Sequence, residues 1–212
     1  MRNSKIAMLV ICVMFFAMAL YFYPQFPEKV ASHWNAGGEV DGYMPKFWGV
    51  FLFPLISVFL AILFILIPLI DPLKSNIEKF RHYYDRFIII VMLFFLYIYI
   101  LTILWNTGTR FDMSALLAPA IGILIYYCGV LMENAKRNWF IGIRTPWTLS
   151  NDKVWNKTHK LGARLYKIAG VVAFLGVFLQ SFASYLMVLP IVLASIYCVV
   201  YSYFEYQKQV KK

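Results

Sequence analysis

Apolar residues fall in six runs, at 6–23, 47–70, 87–105, 114–132, 163–183 and 185–204, with polar residues gathered between them. None of the runs alternates with the period of two that a barrel strand needs, and in lipid every backbone N–H and C=O must be satisfied within the segment, so helices are predicted. The shortest run has 18 residues. At a rise of ~1.5 Å it covers ~27 Å, close to the ~30 Å hydrocarbon core of a bilayer. The pattern predicts an all-α polytopic membrane protein with six transmembrane helices. Gln180, Ser181 and Ser184 interrupt the last apolar stretch and predict a tight hairpin there. Arg2 and Lys5 before an apolar run, with Ala17-Met18-Ala19, resemble a signal peptide. The run continues to Pro24, however, and is read as a retained span.

Charge orients this pattern. Of the 212 residues 62% are apolar and only 14% charged, against about a quarter in a soluble domain. Lys and Arg number 17 at the N-terminus, in the 71–86 and 133–167 stretches and in the C-terminal tail, whereas only Lys29, Lys46 and Arg110 lie on the other side. By the positive-inside rule both termini are cytoplasmic. The net charge of +10 faces anionic lipid, and direct nucleic-acid binding does not follow from it. Three units are expected: an N-terminal two-helix unit at 1–70 with an extracytoplasmic loop at 24–46, a central helix pair at 71–132, and a connector with a C-terminal helical hairpin at 133–212.

No ionisable residue falls mid-span, which disfavours proton-coupled transport and intramembrane proteolysis. Nucleophile-elbow, zinc-protease and phosphate-loop motifs are absent. Topology separates His33 from His82 and His159, so no histidine site is expected. Cys12, Cys128 and Cys198 sit in spans without C-x-x-C spacing and read as small apolar fillers. No enzyme activity, cofactor or metal is expected. Pro54, Pro68, Pro119 and Pro190 are tolerated where neighbours satisfy the freed carbonyls. Ala118 with Gly122, and Ala169 with Ala173, are four apart and favour close helix approach.

The 24–46 loop carries His33, Trp34, Asn35, Asp41, Gly42 and Tyr43. Ala36-Gly37-Gly38 and Asp41-Gly42 are turn signals, so a small hairpin-like cap is expected, with Trp34 and Tyr43 at headgroup level. It is the only sizeable surface that an external molecule would meet. The spacing of His33, Glu39 and Asp41 matches no recognised metal-ligand pattern.

On the other side, Pro146 pushes Thr145 away from helix. Ser150 is a candidate N-cap, with Asp152 in the first turn. Lys153, Lys157, Lys160, Arg164 and Lys167 then share one helical face, beside an apolar face of Val154, Thr158, Leu161 and Leu165 with Trp155 next to it. This predicts an amphipathic helix lying at the inner interface and running into the fifth span, either anchored on lipid or docking a protein partner. Arg144 stands alone among Gly142, Ile143, Thr145, Pro146 and Trp147. Its planar fork suits a carboxylate, a phosphate or backbone carbonyls, or it ties the connector to neighbouring loops.

The run from Asn138 to Leu149, with its core Gly142-Ile143-Arg144-Thr145-Pro146-Trp147-Thr148-Leu149, followed by Val154-Trp155 and on to Gly162, resembles the signature of the SdpI family of bacterial membrane immunity proteins. His33-Trp34-Asn35, Gly38, Asp41-Gly42-Tyr43 and Lys46 are similar to a short domain of unknown function that often precedes it. The resemblance implies protection against a membrane-active peptide toxin. It also implies signalling in which a small transcriptional repressor is held at the membrane. The toxin would meet the 24–46 loop. The partner surface would comprise Gly142, Arg144, Thr145, Pro146, Trp147, Thr148, Leu149, Trp155, Lys157, Lys160 and Arg164. The competing reading is a permease-type protein handling a small molecule or lipid, with Arg144 and Trp147 near a headgroup site.

Overall fold

Each apolar run becomes helical because its side chains leave the backbone only itself to bond with. The computed structural model describes residues 2–211, so Lys212 of the basic tail lies outside the described residues. Six long helices run between two ends of a bundle: α1 (Arg2–Phe22), α2 (Lys46–Ile70), α4 (Arg81–Asn106), α5 (Met113–Asn134), α7 (Asp152–Phe174) and α8 (Ala183–Val210). The short helices α3 (Lys74–Glu78) and α6 (Pro146–Ser150) lie at one end. At the other, β1 (Lys29–Trp34) and β2 (Val40–Pro45) form an antiparallel hairpin. Large apolar side chains such as Leu9, Phe59 and Leu193 point outward and are mostly exposed, as lipid-facing surface requires.

Helices α1, α2 and α4 share a core in which the rings of Phe15 and Phe53 each pack tilted against Tyr99 with centroids 5.5 Å apart. The prolines of α2 explain two buried hydroxyls. Pro54 and Pro68 lack an N–H, which frees the carbonyls four residues earlier, those of Val50 and Phe64. Tyr99 donates to Val50 O at 3.0 Å, and Tyr84 donates to Phe64 O at 3.0 Å. Both donors come from α4. Tyr99→Phe and Tyr84→Phe are therefore expected to cost about 1–3 kcal/mol each, since each strands a buried carbonyl. Thermal unfolding in detergent measures this, and a shift no larger than that of Tyr43→Phe would refute it.

Helix α5 packs most closely along α7. A Cβ on Gly122 would lie 2.7 Å from Gly170 O, and one on Gly129 would lie 2.7 Å from Ala163 O. Small residues bring the two backbones together, as the spacing of Ala118, Gly122, Ala169 and Ala173 foretells; the last two and Ala118 are buried.

Two expectations are corrected. The run 163–183 is not one helix: α7 ends at Phe174, and 3-10 turns at Leu175–Val177 and Gln180–Phe182 lead into α8. The basic amphipathic segment runs into the fifth span as expected, forming the first half of α7, but its apolar side does not lie on lipid. Its apolar side finds a better partner than lipid: Val154, Trp155, Thr158 and Gly162 are buried in the protein. Among the described residues, five helices are long and apolar enough to cross a membrane: Asn3–Gln25, Lys46–Ile70, Arg81–Asn106, Met113–Asn134 and Gln180–Val210. α7 falls outside that set because its basic face lowers its hydropathy.

Candidate functional site

The polar connector, residues 135–151, is folded around buried polar groups. Asn138 is fully buried, and each of its side-chain atoms is used. Nδ2 donates to Lys136 O at 2.8 Å and Ile141 O at 3.0 Å, while Oδ1 accepts from the N–H groups of Phe140 at 2.9 Å and Ile141 at 2.6 Å. The loop then docks on the α2–α3 turn, where buried Asp71 accepts from Leu73 N at 2.6 Å and Trp139 N at 2.9 Å. Asn76 donates to Arg137 O at 2.9 Å. Arg137 in turn donates to Leu149 O and pairs with Asp152, both at 2.7 Å.

The Gly-Ile-Arg-Thr-Pro core sits on His159. This ring stacks on Trp155 with centroids 3.8 Å apart. Nδ1 lies 2.9 Å from Trp155 O, and a carbonyl only accepts, so Nδ1 carries the proton. Nε2 then accepts from Ile143 N at 3.0 Å. Both ring nitrogens are thus used by a neutral imidazole. Gly142 has φ +111°, and a Cβ there would lie 2.3 Å from Nε2. Trp155 itself donates to Ala135 O at 3.0 Å, closing the loop at its start.

Beyond it, Thr145 is extended and caps α6 in a reciprocal box with Thr148: Thr148 N donates to Thr145 Oγ1 at 3.2 Å and Thr145 N donates to Thr148 Oγ1 at 2.9 Å. Thr145 Oγ1 also meets Ser202 of α8 at 3.1 Å, and Trp147 packs edge-on to Tyr203. The cap of α7 is Asn151, which accepts from Lys153 N and Val154 N, and not Ser150, which ends α6. The reason is geometric: α6 consumes Ser150 as helix, leaving Asn151 extended at the break.

The expected partner surface is thus divided. Thr145, Thr148 and Trp155 are buried and hold the connector together, with Trp147 and Leu149 half-buried beside them. Gly142, Arg144 and Pro146 are exposed, as are Lys157, Lys160 and Arg164. Arg144 donates to Trp139 O at 2.6 Å, so it clasps its own loop, and Lys157 pairs with Glu205 of α8 at 2.6 Å. His159 and Asp71 are given no role by sequence reasoning, and Asn138 appears there only as the first residue of the signature run. The signal available for His159 is its place four residues after Trp155, one helical turn along the same face.

At the opposite end, His33 pairs with Asp41 at 2.5 Å across the hairpin. Gly42 leaves room for His33, whose Cβ a side chain there would meet at 2.8 Å. Asn35 closes the turn, accepting from Gly37 N at 2.9 Å and Glu39 N at 3.1 Å. Asn106 of α4 serves as a partner strand, accepting from Ala31 N at 2.8 Å and donating to Ala31 O at 3.0 Å. Ser184 of α8 donates to Ala36 O at 3.2 Å. His33, Asp41 and Tyr43 are exposed, while Trp34 turns inward against Trp105. The two candidate surfaces lie at opposite ends of the bundle, and α8 touches both.

Residues 134–202 match the SdpI/YfhL protein family, and residues 10–58 match a domain of unknown function, DUF1648. The chain is similar to the immunity protein SdpI of Bacillus subtilis (strain 168), with 24% identity over 209 residues, which cover 98% of each chain. No solved structure matches.

Proposed function

Proceeding from an SdpI-family, multi-pass bacterial membrane protein, we propose that this chain is an immunity protein that protects its cell against a membrane-active peptide toxin. The observation that carries this reading is the end-to-end similarity to an immunity protein, which takes in the hairpin and the connector together. All six long helices cross the bilayer in this reading. α7 spans too, because it joins the connector end to the hairpin end, with its small residues against α5. The distribution of Lys and Arg then puts the termini and connector in the cytoplasm and the hairpin outside as a cap. His33, Asp41 and Tyr43 are the residues that meet the toxin. Inside, Lys153, Lys160 and Arg164 form a basic face for a small transcriptional repressor, beside Arg144 and Pro146. No catalytic step is involved.

Toxin binding at the hairpin reaches the connector through α8, which is tied to Ala36 by Ser184 and to Thr145 by Ser202. A rigid helix held at both ends can act as a shear element. The experiment expresses the chain in a toxin-sensitive bacterium and challenges it with the peptide from the same locus. Survival is expected, and it is expected to fall for Asp41→Ala or Tyr43→Ala but to hold for Lys160→Gln. In the same cells, free of native cysteines, a cysteine at Ala36 should label from outside and one at Ser150 only after permeabilisation. No survival advantage against any such peptide would sink the immunity reading; labelling of position 150 in intact cells would sink the orientation.

A further inference from the structure

The hairpin does not close flat on the helices. Between β1 and the outer turns of α2, α4 and α5 lies a cavity of about 300 Å³. That is at the lower end of the about 300–1,000 Å³ typical of small-molecule sites. Its floor, one to two helical turns into the bundle, is made by Leu52, Phe53, Ile98 and Leu117, and Trp34 stands at its hairpin end. The Trp34 indole N–H is buried and has no acceptor among the described residues. The hydroxyls of Thr102, which donates to Ile98 O at 2.9 Å, and of Ser114, which accepts from Ser184 Oγ at 3.3 Å, line the cavity without meeting the indole.

A buried donor left unpaired is costly, and an apolar ligand with no acceptor would leave it so. Apart from Ser32, His33, Thr102 and Ser114 the lining is apolar, so a water could meet the indole but would leave the apolar floor unfilled. The occupant that serves both is an amphiphile with hydrocarbon below and an oxygen acceptor above. Trp48 lines the cavity and is also half exposed on the flank of the bundle, so the space borders the bilayer. Bilayer lipid has this order, its ester carbonyls lying at the depth where indoles gather and its chains beneath them.

We propose that the cavity under the hairpin holds one acyl chain of a bilayer lipid, whose ester carbonyl accepts the Trp34 indole N–H. The lipid fills the gap between hairpin and helices and makes the cap one body with the bundle. This inference does not depend on the immunity reading, since a lipid wedge would serve any ligand-facing cap.

Native mass spectrometry of the full chain, released from detergent containing dioleoyl phosphatidylglycerol, tests it. The wild type is expected to keep one lipid after collisional activation has stripped the rest. Leu117→Trp, which fills the floor, should lower that occupancy about tenfold. Trp34→Phe, which keeps a ring but loses the N–H, should lower it about three- to tenfold, the effect of one hydrogen bond. Trp34→Phe is the milder change and keeps the test decisive if Leu117→Trp does not fold. Retention of the same lipid by both variants, or by none of the proteins, overturns the proposal. So does a wild type that sheds every lipid but keeps an added hydrophobic peptide, which would assign the cavity to a peptide instead.

Discussion

Gly142→Ala is expected to undock the connector from His159. The new Cβ would lie 2.3 Å from Nε2, where Ile143 N now donates, and the backbone at φ +111° disfavours any side chain. Strain and overpacking together are expected to cost about 2–5 kcal/mol. Helix content should stay the same, while the Ile143 amide should exchange faster and trypsin should cut at Arg144. His159→Ala in the same chain removes the overlap and should recover part of the loss, leaving the φ strain. Unchanged exchange at Ile143 in Gly142→Ala would show that the contact does not hold the loop.

Acid should reach the same latch by another route. Above the ordinary histidine pKa of about 6.5, docked and undocked rings are both neutral and the docking energy is complete. As pH falls below that value, an undocked ring takes up a proton that the docked ring refuses, because its Nε2 faces the Ile143 N–H and its Nδ1 already holds a proton. Docking weakens by up to about 1.4 kcal/mol for each pH unit below it. Exchange at Ile143, corrected for its intrinsic pH dependence, measures that loss. Flat protection down to pH 4 would contradict the assigned proton position.

Gly170→Val is expected to be still more damaging. A Cβ at Gly170 would stand 2.6 Å from Tyr126 N and 2.7 Å from Gly122 O. Both are backbone atoms of a helix, so no side chain can swing aside, and α5 and α7 must separate. The expected cost is about 3 kcal/mol or more, with a lower unfolding midpoint in detergent and poor membrane yield. Separation would also shift Lys167 away from Glu133, its partner at 2.5 Å. Val171→Leu, at the neighbouring lipid-facing position, serves as the control and should be nearly neutral. A midpoint for Gly170→Val equal to that control would rule out backbone-close packing here.

Some of this molecule can be read from its residues in order. Uninterrupted apolar runs specify helices at 6–23, 47–70, 87–105 and 114–132 because hydrophobicity and backbone satisfaction are properties of consecutive residues. Thr145 is extended before Pro146 for the same local reason, although the short helix that Pro146 starts was not foreseen, and small residues four apart mark a close-packing face. The connector motif is also legible as a pattern. What each of its residues does is not. Sequence reasoning put Thr145, Thr148 and Trp155 on a partner surface, yet these are buried and brace the loop, whereas His159 and Asp71, which were given no role in it, hold it in place.

Only the tertiary structure could assign those roles, because a buried polar group is satisfied by whichever group the fold brings near. Asp71 meets Trp139 across 68 positions, and Tyr99 meets the carbonyl freed by Pro54 across 49. No periodicity links such pairs. The same holds for α7: composition marks its basic half as an interfacial helix, but the glycines of α5 and the connector offer its apolar face a closer fit than lipid does. Local pattern determined which segments are helical and which ends carry charge. The choice of partner for each polar atom and each small face depends on contacts between distant residues, and the fold decided it.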